Sequence, residues 1–414
     1  MSPAIRAAGA VAAATLAPLI ALGAPAAQAA PLAGPGGAAG SAAAGATGSA
    51  AGNGCAGPSA TVSAAVPWAQ RQLRPSAVWD LTEGAGQTVA VLDSGVSATA
   101  PALAGAVLPG LDLATGGPAD TDCVGHGTFV AGLAAAHPTA GSGFTGVAPQ
   151  ARILPVNVLD SDGAATAAAV AAGIRFALGH GATVIDVCPA VLPGPSPALA
   201  AAVQAALADG VTVIAPVAAA GVNESDQVSY PAAYPGVIAV SGTDASGTPI
   251  AAAGAGVRVD LAAPGSGVTS IGPLGPGELA ATGAALATGF VAGTAALVRG
   301  YYPRLTVAQV TRRLEATADP PGDALPDPQV GYGIVAPYTA VTTVLPAESG
   351  GRAPARRVAP AVRLAQPARP DTWPGTAALL VCAVLAAGLA VGAAGTHILR
   401  HGRRRHWRSP ASGT

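Results

Sequence analysis

Short apolar segments alternate with amphipathic segments through the middle of the chain. Residues 88–93 read Thr-Val-Ala-Val-Leu-Asp, and an apolar run of this kind predicts a strand buried on both faces of a parallel sheet. The same reasoning predicts strands at 153–159, 183–187, 211–217 and 237–240, and helices at 122–136, 164–178, 197–208, 284–299 and 306–316. Alternating strands and helices predict βαβ units, and therefore an α/β domain with a mostly parallel central β-sheet flanked by helices.

The N-terminal part of the chain does not follow this pattern. Residues 1–30 combine a basic residue, an apolar run and small residues at 27–29, which predicts a secretory signal peptide; an uncleaved anchor is the alternative. Residues 31–54 are rich in Ala and Gly and predict a linker. The folded domain is expected to span 55–345.

The C-terminal part predicts a membrane anchor. Residues 346–375 form a Pro/Arg-rich linker, and 376–399 contain no charged residue, which is enough length to span a bilayer as one helix. A buried core helix is the alternative reading of that stretch. Five arginines follow between 400 and 414, and the positive-inside rule makes this tail cytoplasmic. We therefore expect a single-pass protein of the cell membrane whose domain is extracytoplasmic.

Charge excludes one class of function. Only 10% of residues are charged, and the chain has no lysine. Residues 31–345 hold nine arginines against 19 acids, about −10 in net charge, and an acidic body argues against nucleic-acid binding. Asp160 and Asp162 form an acidic segment that is more typical of a solvated turn than of a calcium site. We expect no metal and no cofactor.

The four cysteines fall into two groups. Cys55 and Cys123 flank the first part of the predicted domain, and an exported domain lies in an oxidising compartment, so we expect these two to form a disulfide. Cys188 follows a buried strand and is expected to be an unreactive thiol. Cys382 lies within the predicted membrane span.

Two sequence motifs contain the residues that we expect to form the active site. Asp93-Ser-Gly follows the first strand, at the edge where α/β sheets build their sites. Residues 122–132 read Asp-Cys-Val-Gly-His-Gly-Thr-Phe-Val-Ala-Gly, which places His126 at the start of a helix. This pair resembles the subtilisin-like serine peptidases, and the resemblance implies a subtilisin-like fold. In that family the carboxylate holds the imidazole tautomer, and the imidazole takes a proton from a serine hydroxyl.

The resemblance extends to one branch of the family. The segment Val-Pro-Trp-Ala-Gln at 66–70, the cysteine before the histidine motif, the signal peptide and the terminal span are similar to those of the mycosins, the membrane-anchored subtilases of type VII secretion. This resemblance implies association with the membrane complex of a type VII secretion system.

The third motif of the family departs from its pattern. Subtilases open the nucleophile helix with Gly-Thr-Ser-x-Ala-x-Pro, and the matching segment here begins at Gly283, in a register fixed by Val-Ala-Gly at 291–293. Ala285 then occupies the serine position and Gly289 the proline position. A methyl group can neither donate a proton nor attack a carbonyl, so this register excludes an acyl-enzyme. Thr282 and Thr288 are each three residues away and do not substitute.

Two further positions of the expected cleft differ. The oxyanion-hole asparagine aligns with Val222, and Asn223 lies one residue late, within reach only through a bulge. The strand that pairs with substrate ends in Cys188, Pro189 and Ala190, and the proline removes a backbone donor.

Three functions follow from these residues. The first is a pseudopeptidase that acts as a structural or regulatory partner of the secretion complex. The second is a working serine endopeptidase whose nucleophile is Ser266 or Ser270, in the segment after Pro264. The third is a module that binds unstructured peptide segments in the cleft without cutting, with a weak preference for basic peptides.

Overall fold

The computed structural model describes residues 55–189, 194–218, 228–251, 257–322, 324–348 and 373–404. The predicted signal peptide, the linker at 31–54 and most of the linker at 346–375 lie outside the described residues, as does the tail from 405 onward.

A seven-stranded parallel sheet forms the centre of the domain. Its strands are β1 (Thr88–Asp93), β2 (Leu111–Asp112), β3 (Arg152–Asn157), β4 (Val184–Val187), β5 (Thr212–Pro216), β6 (Ile238–Thr243) and β7 (Leu261–Pro264). They lie in the order β2-β3-β1-β4-β5-β6-β7, and every neighbouring pair is parallel. The predicted α/β fold with a mostly parallel sheet is therefore confirmed.

Helices cover both faces of this sheet. They are α1 (Trp68–Leu73), α2 (His126–Ala135), α3 (Ala167–Gly179), α4 (Pro197–Ala208), α5 (Ala284–Tyr301), α6 (Val307–Thr317), α7 (Pro337–Thr342) and α8 (Trp373–Arg404). Val89 and Val91 of β1 pack in the cluster that contains α2 and α5, whereas Ala90 and Leu92 pack in the cluster of α3 and α4. Because β1 is covered on both sides, its sequence is apolar at successive positions.

Helix α5 is the most deeply buried of the helices that pack on the sheet. All fifteen of its residues from Ala284 to Val298 are buried, which explains why its sequence is apolar all round instead of amphipathic. It crosses α2 so closely that a Cβ added at Gly289 would lie 2.9 Å from the Val130 carbonyl oxygen. The glycine therefore brings the starts of α2 and α5 together on one face.

The sequence did not predict α1, β2, β7 and α7, and the structure differs from the expectation in two further places. The helix predicted from residue 122 begins at His126, because the preceding residues form a loop held by the Asp122 side chain. An antiparallel hairpin of β8 (Val268–Ile271) and β9 (Glu278–Ala281) follows the main sheet and was not predicted. Ser270 consequently lies in a strand, not in the loop that the sequence indicated.

Two of the C-terminal helices pack on the domain, and the last one is a candidate membrane span. Helix α6 and helix α7 pack against α5. Helix α8 contains the segment Ala378–Gly402, of 25 residues and mean hydropathy 2.3, which is long and apolar enough to cross a membrane. The predicted span at 376–399 coincides with it.

Candidate active site

An Asp–His pair lies at the carboxyl edge of the sheet. Asp93 is the last residue of β1, and β1 lies between β3 and β4 in the sheet. The helical connections on the two sides of β1 run over opposite faces of the sheet, and α/β proteins build their sites at such a switch point. His126 is the first residue of α2, and its Nδ1 lies 2.6 Å from Asp93 Oδ2. A Cβ at Gly127 would lie 2.1 Å from the Gly95 carbonyl oxygen, so the glycine permits this approach of α2 to β1.

The two side chains shift each other's protonation. Burial raises the pKa of Asp93, but the charge of His126 and its hydrogen bond outweigh this effect, and the net pKa lies below the ordinary value. Burial likewise disfavours the imidazolium of His126, but the Asp93 carboxylate outweighs it and raises the pKa of the ring. Asp93 Oδ1 also accepts a hydrogen bond of 2.7 Å from the Ser94 amide. The pair is therefore an anchored carboxylate that favours a protonated imidazole.

Asp122 fixes the start of α2 from outside the helix. Its Oδ2 accepts from the Thr128 amide at 2.8 Å and from the Thr128 hydroxyl at 2.7 Å. Its Oδ1 accepts from the Gly125 amide at 2.7 Å and from the Ser94 hydroxyl at 2.9 Å. Burial raises the pKa of Asp122 even though these donors oppose the shift. A negative group at the helix start stabilises the free N–H groups there, and it orients His126.

A further buried carboxyl, that of Asp186, lies near the Asp–His pair. Asp186 of β4 is fully buried, and neither of its oxygens accepts a hydrogen bond of good geometry. The Thr288 hydroxyl lies close, but its proton goes to the Ala285 carbonyl oxygen at 2.6 Å. Burial raises the pKa of Asp186 to about 7, and the nearby Asp93 carboxylate adds to the shift.

Cys188 links Asp186 and Thr288 to strand β1. Its amide donates to the Leu92 carbonyl oxygen at 3.1 Å, and its thiol interacts with Asp93 and Thr288. Burial raises the pKa of the thiol well above its ordinary value, with the Asp186 and Asp93 charges adding to the effect. A thiol held protonated in this way is a poor nucleophile.

The N-terminal part of α5 lies against this group of residues. Thr288, the fifth residue of this helix, interacts with Asp186 and Cys188, and Cys188 in turn contacts Asp93. Ala285 is the second residue of the helix and is 3% exposed. The helix begins after Gly283, without a side-chain cap and without an acidic residue in its first turn.

Of the hydroxyl groups of Ser270, Thr282 and Ser266, the first two form hydrogen bonds with other groups. Ser270 is buried, and its hydroxyl donates to the Phe129 carbonyl oxygen at 2.7 Å. Thr282 accepts a hydrogen bond of 2.8 Å from the Gly267 amide. Ser266 follows β7, where its amide donates to the Thr243 carbonyl oxygen. No hydrogen bond joins any of these hydroxyls to His126 among the described residues.

Part of the predicted cleft falls outside the described residues. This applies to both oxyanion-hole candidates, Val222 and Asn223, and to Ala190. Cys188 and Pro189 are described and directly follow β4.

The predicted disulfide is present and lies beside the candidate site. Cys55 and Cys123 are bonded, and the Ala56 amide donates to the Cys123 carbonyl oxygen at 2.7 Å. The segment that follows runs along the hairpin, where the Ser59 hydroxyl donates to the Glu278 carbonyl oxygen at 2.7 Å. The disulfide therefore holds the N-terminal segment next to the loop that precedes His126.

The sequence reasoning missed two carboxyls of the site. Asp186 stands in an otherwise apolar strand, Val-Ile-Asp-Val, and an acid in such a run was a signal that a buried polar environment existed there. Asp122 is the first residue of the histidine motif, and the sequence pattern predicts a helix from this residue, whereas the helix begins at His126. Its role depends on donors that only the folded loop brings together.

The chain matches the model of the "Subtilase family" over residues 84–333. Among curated proteins, it is 36% identical to thermitase from Thermoactinomyces vulgaris over 249 residues, which is 60% of this chain and 87% of that protein. It is 34% identical to Mycosin-3 from Mycobacterium tuberculosis (strain ATCC 25618 / H37Rv) over 398 residues, which is 81% of this chain and 84% of that protein.

Solved structures give the same result. A structure of the serine protease MycP1, described as an essential component of the type VII (ESX-1) secretion system, superposes with a TM-score of 0.62 and 32% identity, covering 70% of this chain and 93% of that one. The MycP3 protease of the type VII (ESX-3) secretion system superposes with a TM-score of 0.60 and 31% identity, covering 70% and 92%.

Proposed function

The chain belongs to the subtilase family, and on that premise we propose that it is a membrane-anchored pseudopeptidase of the mycosin type, which binds partners and does not cut them. In this proposal Asp93 and His126 are the retained acid and base, and Ala285 stands where an active subtilase carries its serine. The domain lies outside the cytoplasm and is anchored by α8.

One observation carries this proposal. The N-terminal part of α5, which bears Ala285, lies against the residues that surround the Asp–His pair, through Thr288 and Cys188. A nucleophile has to come from a group close to the imidazole, and the alanine supplies none. In subtilisin, loss of the serine alone costs about 10⁶ in kcat. The change at Val222 would weaken any remaining water attack, because that route depends on the oxyanion hole. Pro189 removes a backbone donor from the strand that is expected to pair with substrate.

The similar proteins support a role in a secretion complex at the membrane. Mycosin-3 matches along 81% of this chain, and MycP1 is described as an essential component of a type VII secretion system. We infer that this chain takes part in such a membrane complex, as a structural partner or by holding unstructured peptide segments in its cleft. The intact Asp–His geometry supports the peptide-binding role, because a purely structural domain does not need an ordered 2.6 Å contact at the cleft.

A fluorophosphonate probe tests this proposal, because it labels serines that an imidazole activates. We expect the full-length protein in detergent to remain unlabelled between pH 6 and 9. The Ala285→Ser variant should gain labelling at residue 285 and lose it again in Ala285→Ser combined with His126→Ala. Mass spectrometry of the labelled peptide identifies the site.

A matched control is Ala287→Ser, two residues further along the same helix and fully buried. This variant should remain unlabelled, since its hydroxyl lies on another side of α5. Labelling of the native protein that disappears in His126→Ala would overturn the proposal and would identify an active peptidase with another nucleophile.

A further inference from the structure

We propose that the Pro/Arg-rich linker docks back onto the domain, in a groove beside α6 where its Arg356–Arg357 doublet pairs with Glu315. The groove lies outside the candidate active site, so this inference goes beyond the proposed function and does not depend on it. It assigns the linker a binding site on the domain from which it emerges.

The groove lies between the end of α4, the turn before β6 and one side of α6. It has a volume of about 410 Å³, and Leu207, Val307 and Ala308 form its apolar wall. Gly236 adds no side chain, and a Cβ there would lie 2.6 Å from Leu207 Cδ1, so the glycine leaves room for the leucine in the wall. Such a wall suits the aliphatic stem of a long basic side chain.

Glu315 is the acid of this groove, and its carboxylate is half-buried. No hydrogen bond or ion pair of this carboxylate occurs among the described residues. Arg258 faces it but is already bound to Asp260, at 2.9 and 3.0 Å, and Arg312 on α6 is exposed. Burial and the Asp260 charge raise the pKa of Glu315 to about 7, although both arginines oppose the shift. A further guanidinium would therefore stabilise the ionised carboxylate.

The linker begins beside the same helix. Glu348, the last described residue before it, forms an ion pair with Arg313 of α6. Residues 349–372 lie outside the described residues and contain five arginines and one acid, whereas residues 31–345 carry about −10 net charge. Charge therefore favours contact between this basic segment and the acidic domain that precedes it.

The length of chain selects the doublet among the five arginines. Arg313 and Glu315 are two positions apart and therefore lie on opposite sides of α6, and half the circumference of a helix about 10–12 Å wide is roughly 15–19 Å. From Glu348, the four residues to Arg352 cover at most about 14 Å, and the eight residues to Arg356 cover up to about 28 Å. The doublet thus supplies the first arginines that reach the carboxylate without full extension.

Limited digestion with trypsin tests the docking, because trypsin cuts after arginine and reaches a docked segment more slowly. Full-length protein in detergent is digested at pH 8, and mass spectrometry compares cutting after the doublet with cutting after Arg363 of the same linker. We expect the rate at the doublet, relative to Arg363, to be at least about threefold lower in the native protein than in Glu315→Gln. This is the effect of one partly exposed ion pair.

Two variants control for charge and for the groove. Asp319→Asn removes an exposed acid four residues further along the chain and should retain the native ratio. Ala308→Trp, at an exposed position that lines the groove, fills it without a change of charge and should release the doublet as Glu315→Gln does.

The Glu315 carboxyl gives a second readout. Pairing with the doublet favours its ionised form, so carbon-13 NMR of glutamate-labelled protein should find a lower pKa in the native protein than in Arg356→Gln/Arg357→Gln, where it stays near 7. Docking and deprotonation are therefore linked, and protection from trypsin should weaken as the pH falls from 8 to 6.

Equal ratios in the native protein and in Glu315→Gln would overturn the inference, as would an unchanged pKa of Glu315 in the doublet variant. Protection that rises with protein concentration would assign the linker to a second copy and would overturn docking within one chain. None of these results bears on labelling at residue 285, so the pseudopeptidase proposal is tested separately.

Discussion

At the scale of single residues, Asp186 has the least favourable surroundings in the site. It is fully buried in β4, and neither carboxyl oxygen accepts a hydrogen bond of good geometry. Its pKa of about 7 means that the folded protein binds a proton there more tightly than the unfolded chain, where an aspartate titrates near 3.8. Stability from this group is present below the unfolded pKa and decreases as the pH rises from about 4 to about 7.

We therefore expect Asp186→Asn to stabilise the protein most at pH 8–9 and to have little effect below about pH 4. The upper limit is about 4 kcal/mol, since each unit of pKa difference is worth about 1.4 kcal/mol. Thermal unfolding of the full-length protein as a function of pH measures it. Asp209→Asn, at the exposed end of α4, is the control and should change the melting temperature little, as exposed substitutions do. Equal melting temperatures of the Asp186 variant and native protein at pH 9 would contradict the expectation.

The same residue shows the limit of sequence reasoning at a site. Asp93 and His126 could be predicted as site residues, because each lies in a short sequence motif with neighbouring glycines, Asp-Ser-Gly and Gly-His-Gly. Asp186 could not be assigned a role, because its surroundings come from Thr288, about a hundred residues further along the chain. The positions of Val222 and Asn223 stay predictions.

At the scale of elements, α6 connects the domain to the first residues of the Pro/Arg-rich linker. Arg313 of α6 is 1% exposed and its guanidinium forms an ion pair with Glu348, with Nε at 2.9 Å from Oε1. It also donates to the Ala340 and Thr343 carbonyl oxygens at 2.8 and 2.9 Å, and it lies 4.1 Å from the ring centroid of Tyr302. One side chain thus holds α5, α6 and the end of the domain together.

Arg313→Ala should lower the free energy of unfolding by about 2–4 kcal/mol, because it leaves a half-buried carboxylate and two carbonyl groups without donors. Arg312→Ala changes the neighbouring exposed residue of the same helix and should cost about 0.5 kcal/mol or less. Denaturant unfolding of the two variants measures the difference. A similar loss in both would show that the pair of Arg313 and Glu348 is not what stabilises this junction.

The extent to which elements could be predicted follows from their length and periodicity. Helix α4 was predicted with its observed bounds, because a Ser196 cap and Pro197 mark its start. The two-residue strand β2 and the hairpin of β8 and β9 were missed, since their partners are set by the sheet and not by a local pattern. The order of the strands also had to come from the structure.

At the scale of the whole molecule, charge and hydropathy divide the chain into an acidic domain, an apolar helix and a basic end. The span Ala378–Gly402 precedes the last arginines, and residues 31–345 carry about −10 net charge. The positive-inside rule then predicts that the C-terminus is cytoplasmic and the domain extracytoplasmic.

Single cysteines test this orientation with a membrane-impermeant maleimide on intact cells. Ala245→Cys, in an exposed turn of the domain, should be labelled without permeabilisation. Ser412→Cys, in the basic tail, should be labelled only after the membrane is opened. The native protein is the control for background labelling, which should be low because Cys188 is buried and Cys382 lies in the apolar helix. The reverse pattern would place the domain inside the cell.

The disulfide between Cys55 and Cys123 has a consequence for when the protein matures. In the proposed orientation the domain is exported, and because cytosolic thiols are kept reduced, this bond would close only outside the cytoplasm. The segment from residue 55 also lies beside the hairpin, where the Ser59 hydroxyl donates to the Glu278 carbonyl oxygen. Cys123 is three residues from His126, so the disulfide ties this segment to the chain at the rim of the candidate site. In that orientation, oxidation outside the cytoplasm would complete one wall of the site.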